Sequence, residues 1–364
     1  MPELGRRFIV ALSGGMALGA YQGGALARLC ETGPAPDGFA GASVGALNAA
    51  IAAGTPRERT GEALRSFWTS ASDVLLGGFL SPAAKPEAPD PFGEGRRATS
   101  ALASLMFGRP GMFRPQISSL HWARPQPGLY SLEPLRPRLE SLIDFDRLNS
   151  GETQLVVTAS DVVTGEQVVF DTRRGDRIGP DHLMASCAML PIFAPIEIDG
   201  RLLGDGGLTG NMPLAPFLEV GLREALLAVA IDLMPLPGSR PRTMVEAAAR
   251  AADVAFASRT WSLIAAARRE HELMTRVATL QRAQGEEASP PGAAAIVMLD
   301  YPLGPSEPGL AKLFDYSATT LERRWSAGER GMEAALTAAM SLADTDGFVA
   351  TRCDAEPRRE RASA

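Results

Sequence analysis

The sequence predicts an α/β fold with a parallel sheet, and three observations carry that reading. Phe8–Leu12 (FIVAL) is a continuous apolar run that gives way to glycine, as a strand buried on both faces does. Two strand–loop–helix units then follow within residues 8–53: the loop Ser13–Gly19 with a helix from Ala20 to Cys30, and the turn Gly41–Gly45 with a helix from Val44 to Ala53. Further along, Leu226–Ile231 (LLAVAI) and Ala294–Leu299 (AAIVML) read as two more core strands. Parallel strands joined by right-handed crossovers place successive loops at one sheet edge. The glycine loop and Ser43 are therefore expected side by side, where open α/β sheets build their sites.

The remaining elements are read in order. Gly33-Pro34 breaks the first helix, and Phe39-Ala40 leads into the serine turn as a short strand; Gly54 and Pro56 stop the second helix. From Ser66 to Leu129 the patterning fades. Ser81–Gly95 is rich in Pro, Gly and charge and reads as a surface excursion. Ala101–Phe113 clusters Leu102, Leu105, Met106 and Phe107, and packing onto the core is favoured over a lid that touches lipid. Leu132–Asp144 reads as an amphipathic helix. Gln154–Ala159 and Glu166–Asp171 form a hairpin through Thr164-Gly165. His182–Ala188 is a short helix stopped by Pro191 and Pro195, and a second hairpin turns at Asp199-Gly200. Helices are expected over Arg242–Ala283 and over Ala311–Leu342, the latter interrupted at Gly328 and Gly331.

Bulk composition narrows the function. The 364 residues are 45% hydrophobic and 21% charged, enough to bury a sizeable core in one large domain or two small ones. A net charge of −6 offers no basic field to nucleic acid. Cys30, Cys187 and Cys353 are odd in number and far apart, so neither a disulfide framework nor a zinc site is expected. The first residues hold too short an apolar run for a signal peptide, and no run of eighteen apolar residues exists. A cytoplasmic location is the expectation.

Gly41-Ala42-Ser43-Val44-Gly45 fits G-x-S-x-G, a sharp strand-to-helix turn that presents a serine at a helix N-terminus. The loop Ser13–Gly19 has two functional readings. As a dinucleotide loop it has Met16 where the middle glycine belongs and no acidic residue after a second strand. As an oxyanion cradle it offers the amides of Gly14, Gly15 and Met16, provided the φ of Met16 stays negative. A serine nucleophile needs a base. His121 lies in the unpatterned segment, His182 reads as a helix cap, and His271 sits in a charged helix expected to be solvated. That leaves a carboxylate: Asp205, in the glycine-lined turn Gly204-Asp205-Gly206-Gly207, competes better than Asp161 or Asp171.

Taken together, SGGMALG at residues 13–19, GASVG at 41–45 and DGG at 205–207 resemble the patatin-like phospholipase family. Connecting stretches match as well: ALGAYQ (17–22), DFDRLN (144–149), ASCAMLPIFAP (185–195) and DYSATTLERRWSAG (315–328) are similar to a bacterial branch of it, over nearly the whole chain. The resemblance implies a three-layer α/β/α sandwich with a mostly parallel central sheet. It implies a lipid acyl hydrolase, phospholipase A or lysophospholipase-like. Ser43 would be its nucleophile, Asp205 its proton acceptor and Gly14, Gly15 and Met16 its oxyanion hole, with Gly19, Gly41, Gly45, Gly206 and Gly207 as motif glycines. Neither metal nor other cofactor is implied; a lipid or acyl ester is the substrate, with transient membrane-surface contact and no nucleic acid. Two positions depart from the family: Met16 stands where a third glycine is usual, and Leu18 where many members have a basic residue. The expected organisation is a single domain over 1–345, with an irregular insertion or lid at 66–129 and a helical C-terminal part at 241–345; a disordered tail follows over 346–364. A catalytically silent acyl-binding or scaffold protein is the alternative.

Overall fold

The computed structural model describes residues 5–72, 93–116, 127–221, 223–234, 240–302 and 311–353. Its centre is a sheet ordered β11-β10-β9-β1-β2-β5-β8-β7. The strands are β1 (Arg7–Leu12), β2 (Gly38–Ala42), β5 (Gln154–Asp161), β7 (Ile196–Ile198), β8 (Arg201–Asp205), β9 (Leu226–Asp232), β10 (Ala294–Asp300) and β11 (Phe348–Cys353). From β11 across to β5 every pairing is parallel, whereas β6 (Gln167–Asp171), β8 and β7 add antiparallel. A separate small ladder joins β3 (Arg114–Pro115) to β4 (Tyr130–Ser131). The two hairpins form at the turns expected, with Gly165, Asp199 and Gly200 all at positive φ.

Alternation along β1 divides the core into two layers. Phe8, Val10 and Leu12 pack with α1 (Gly19–Thr32), α2 (Val44–Ala53) and helix Ala318–Leu342. Ile9 and Ala11 face the other way, toward Phe217, Leu218, Ile264 and Ala267. Helices thus cover both faces, and the fold is the three-layer α/β/α sandwich. No helix among the described residues is long and apolar enough to cross a membrane.

Four expectations change. Helix Ala318–Leu342 runs unbroken through Gly328 and Gly331. A Cβ at Gly328 would lie 1.9 Å from the Tyr21 carbonyl oxygen, so this glycine lets two helices cross closely and does not end one. Residues 66–129 are not uniformly irregular: α3 (Arg57–Ala71) reaches into them and Gly93–Phe107 is a helix. That helix leaves Leu102 60% and Phe107 73% exposed, with Leu105 and Met106 exposed beside them, so its apolar cluster does not pack onto the core. Finally, the segment expected as a tail from 346 contributes β11, whose pairing with β10 satisfies an otherwise open sheet edge.

Candidate active site

Ser43 sits between β2 and α2 with φ 54 and ψ −128, a conformation L-residues adopt only when the surroundings impose it. Such backbone costs about 1–3 kcal/mol. The flanking glycines make it attainable: a Cβ at Gly41 would lie 2.3 Å from the Ala46 nitrogen, and one at Gly45 would lie 2.3 Å from the Leu12 carbonyl oxygen. The Ser43 amide donates to the Ser186 hydroxyl at 2.9 Å. At 7% exposure the residue is enclosed.

The sheet register explains how an aspartate reaches this serine. Along β5, Thr158 pairs with Ala42 of β2, and the next residue, Ala159, pairs with Asp205 of β8. On its other edge the same two residues pair with Val169 and Val168 of β6. β2 and β8 therefore share one edge of β5 and run toward each other, meeting tip to tip. The parallel strand ends in Ser43 and the antiparallel one in Asp205. Residues 186–188 staple the junction: Ser186 accepts from Ser43 through its hydroxyl and from the Gly206 amide through its carbonyl at 3.2 Å, and the Ala188 carbonyl accepts from the Asp205 amide at 2.9 Å.

Asp205 is 1% exposed. Burial pushes its pKa up to about 7, and the neighbouring Ser43 hydroxyl and the Gly207 amide hold it from rising further. The Gly207 bond, to Oδ1, is 2.7 Å long. Cys187 is the third polar group here. Burial, then the nearby Asp205 charge, push its thiol well above the usual range, so it stays protonated and unreactive.

The glycine loop lies against the nucleophile, since a Cβ at Gly14 would come 2.9 Å from the Ser43 Cβ. One of its three expected oxyanion donors is already engaged. The Gly14 amide donates to Asn211 Oδ1 at 3.0 Å, while Asn211 Nδ2 donates back to the Gly14 carbonyl at 3.3 Å. Met16 has φ 49, the opposite sign to the one required of it above. A buried polar chain props the loop from behind. Trp68 Nε1 donates to Asn48 Oδ1 (3.0 Å), Asn48 Nδ2 to Gln22 Oε1 (3.1 Å) and to the Gly19 carbonyl (3.0 Å), and Gln22 Nε2 to the Ser13 carbonyl (2.8 Å). Leu18, the second of the two departures noted above, is buried. Arg324 reaches this turn, donating to the Ala17 carbonyl at 3.0 Å and to the carbonyls of Lys312 and Asp315.

The competing bases are elsewhere. His182 accepts the Gly179 amide through Nδ1 at 3.0 Å and caps its short helix, as expected. His271 is buried, not solvated: its Nε2 meets the Gly292 carbonyl at 3.0 Å and its ring lies against Phe348 of the unexpected β11. Asp161 is bound to Arg201 at 2.8 Å, which with two backbone amides holds its pKa down to about 2. Asp171 bonds Gln154 at the N-terminal end of β5, away from Ser43. His121 lies outside the described residues. Asn211, Ser186, Asn48 and Gln22 are site residues that sequence reasoning missed. Of these, Gln22 and Ser186 fell inside stretches whose resemblance flagged them, ALGAYQ and ASCAMLPIFAP.

A sequence model of the patatin-like phospholipase family matches residues 10–218, taking in the glycine loop, the serine turn and Asp205-Gly206-Gly207. Among curated proteins, uncharacterised NTE-family proteins of Mycobacterium tuberculosis and Mycobacterium bovis are 37% identical over 75 residues, 21% of this chain and 19% of theirs. The chain's match thus spans about a fifth of the length of these relatives. Among solved structures, VipD from Legionella pneumophila aligns with TM-score 0.39 and 14% identity, covering 92% of this chain and 67% of that one. Human GIVD cytosolic phospholipase A2 aligns with TM-score 0.37 and 13% identity, covering 92% and 60%. With its family match extending over more than half the sequence and through every motif of the site, the chain belongs to the patatin-like phospholipase family.

Proposed function

We propose that this protein is a serine acyl-ester hydrolase acting on lipids, with Ser43 and Asp205 as a two-residue catalytic machine. Asp205 accepts the Ser43 proton as Oγ attacks the ester carbonyl. Of the three expected donors, the Gly15 amide is the one that stabilises the charge developing on the carbonyl oxygen, since Gly14 is engaged by Asn211 and Met16 has the opposite φ to the one required. Gly14 keeps the space beside Ser43 open while its own amide is held by Asn211. The proton passes from Asp205 to the departing alcohol, and water then releases the fatty acid by the reverse sequence. The observation that carries this reading is the tip-to-tip meeting of β2 and β8, which brings a strained serine to a buried carboxylate whose pKa lies near 7. A base is most useful when its pKa is close to the working pH.

The test is covalent labelling with a fluorophosphonate. The expected result is stoichiometric labelling of the wild type, none of Ser43→Ala and strongly slowed labelling of Asp205→Asn. Equal labelling of Ser43→Ala would refute the assignment. Purification with bound fatty acid and no turnover of p-nitrophenyl esters would favour the acyl-binding scaffold instead.

Phospholipid or lysophospholipid presented at a surface is the substrate we favour. Helix Gly93–Phe107 exposes Leu102, Leu105, Met106 and Phe107. It packs on helix Ala311–Phe314, which in turn lies against the Met16–Leu18 turn beside Ser43. Exposed apolar side chains near a lipase site suit a lipid interface. Phe107→Ser combined with Met106→Ser should lower hydrolysis of vesicle-borne lipid several-fold and leave a short-chain soluble ester unaffected. A parallel loss on both substrates would contradict the interfacial reading.

A further inference from the structure

At the opposite, N-terminal edge of the sheet a cavity of about 600 Å3 is lined by Arg6, Arg7 and Arg173 together with Gln154 and Thr172. Arg7 and Gln154 begin β1 and β5, so about 15–20 Å of strand separates this cavity from the Ser43 edge. The catalytic reading above makes no use of it.

Arg6 and Arg7 are held in place, yet short of acceptors. Arg7 donates through Nη2 to Gln154 Oε1, Gln154 is anchored at 2.7 Å on Asp171, and the guanidinium lies 5.4 Å over the Phe217 ring. The other terminal nitrogen, Nη1, is buried without a hydrogen-bond partner, and so is Nη1 of Arg6. Orphaned buried donors of this kind are uncommon and costly. Two carboxylates also line the cavity, Asp37 and Glu224, but Asp37 already accepts the Phe8 amide at 2.7 Å and Glu224 is exposed. Burial, then the charge of Arg173, push the Arg7 guanidinium down from its ordinary value, while Glu224, Asp37 and Asp171 partly offset them. Thr172 accepts the Leu155 amide at 3.0 Å, which leaves its hydroxyl proton to donate.

We propose that this cavity binds an oxyanion of the phosphate class, gripped by Arg6, Arg7 and Arg173 and by the Thr172 hydroxyl. Guanidinium forks match phosphate oxygens two at a time, and the arginine positioned by Gln154 and Phe217 loses little freedom on binding. A cavity of this volume also holds a small organic group attached to the phosphate.

Calorimetric titration of Ser43→Ala, which keeps hydrolysis out of the measurement, tests the site independently of the esterase reading. The soluble probes are inorganic phosphate and glycerol 3-phosphate at constant ionic strength. Flotation with phosphatidic acid vesicles, against phosphatidylcholine vesicles, is the membrane arm. Saturable binding is expected in at least one arm, weakened about tenfold or more by Arg173→Gln, an exposed position whose change leaves folding intact, and likewise by Arg7→Gln. Response to the soluble probes identifies a free phosphorylated molecule, and response to phosphatidic acid alone a lipid headgroup. Absence of saturable binding in every arm, or binding untouched by both substitutions, would overturn the site.

Discussion

Two serine–aspartate pairs lie buried at the C-terminal edge of this sheet, one strand apart, and only one has the form of a nucleophile. Ser13 follows β1 and lies beside Asp232, the last residue of β9, whose pKa burial again pushes up to about 7. Ser43 follows β2 and lies beside Asp205, whose pKa rises to about 7 from the same cause. The acids are alike; the serines differ. Ser13 continues from an ordinary strand, and its hydroxyl accepts the Leu233 amide at 2.8 Å, closing a structural clasp between β1 and β9. Ser43 stands at φ 54, and no backbone amide among the described residues bonds its hydroxyl. A buried carboxylate of raised pKa is therefore not enough. The turn that lifts the hydroxyl out of the ladder makes the difference.

The widest separation between the pairs should appear on removing each hydroxyl. Ser43→Ala is expected to lower kcat on a p-nitrophenyl ester by about 10⁴-fold or more. Ser13→Ala should keep most activity and lose stability, because the buried Leu233 amide is left without its acceptor. Comparable losses of kcat in the two variants would erase the distinction drawn here.

The acids come next. Asp205→Asn should lower kcat about 10³–10⁴-fold, the range in which general bases contribute, and Asp232→Asn much less. Both should nonetheless stabilise the fold at alkaline pH. An aspartate whose pKa rises from 3.8 when unfolded to about 7 when folded binds the extra proton in the folded state across that window. Stability then falls as pH rises between the two values. Asparagine carries no such penalty, so thermal scans should put both variants above the wild type at pH 8 and level with it near pH 4. Wild-type kcat/KM should climb through about pH 7 as Asp205 ionises. An acid limb near pH 4 would mean that another group is the base.

Asn211 gives a smaller, sharper test, because it acts on the loop that the two pairs share. Its side chain bonds both backbone polar groups of Gly14 and nothing in the reacting line. Asn211→Ala should lower kcat about 10–100-fold with little change in KM, less than the loss of a direct oxyanion donor. A change confined to KM would place Asn211 in substrate binding instead.

How much of this was readable beforehand follows from the range of the interactions. β1, β2, the serine turn and both hairpins are written in local apolar runs and in turn residues such as Thr164-Gly165 and Asp199-Gly200. Asn211 is 197 residues from Gly14 and Ser186 is 143 from Ser43, and no local pattern marks a residue for such a partner. Gly328 reads as a helix breaker because the reason for it, the Tyr21 carbonyl, belongs to another helix. His271 reads as solvated because β11, which covers it, has a mixed sequence (FVATRC) that did not read as strand.

Met16 supplies the finest test, since it shares with Ser43 a left-handed backbone that ordinarily favours glycine. Met16→Gly would relieve strain of about 1 kcal/mol, but glycine has more unfolded-state freedom to lose by a similar amount. The apolar contact of the Met16 side chain with the core is then lost uncompensated. Stability should fall by about 1 kcal/mol, a shift of only about 1 °C in Tm for a chain of this size. The Gly15 amide stays where it was, so kcat/KM should hold within about threefold, or rise for bulky acyl groups as the space beside the carbonyl widens. A tenfold fall in kcat with the fold intact would mean that the thioether serves the reaction. Strain at this position would then belong to catalysis, as the proposed mechanism has it at Ser43.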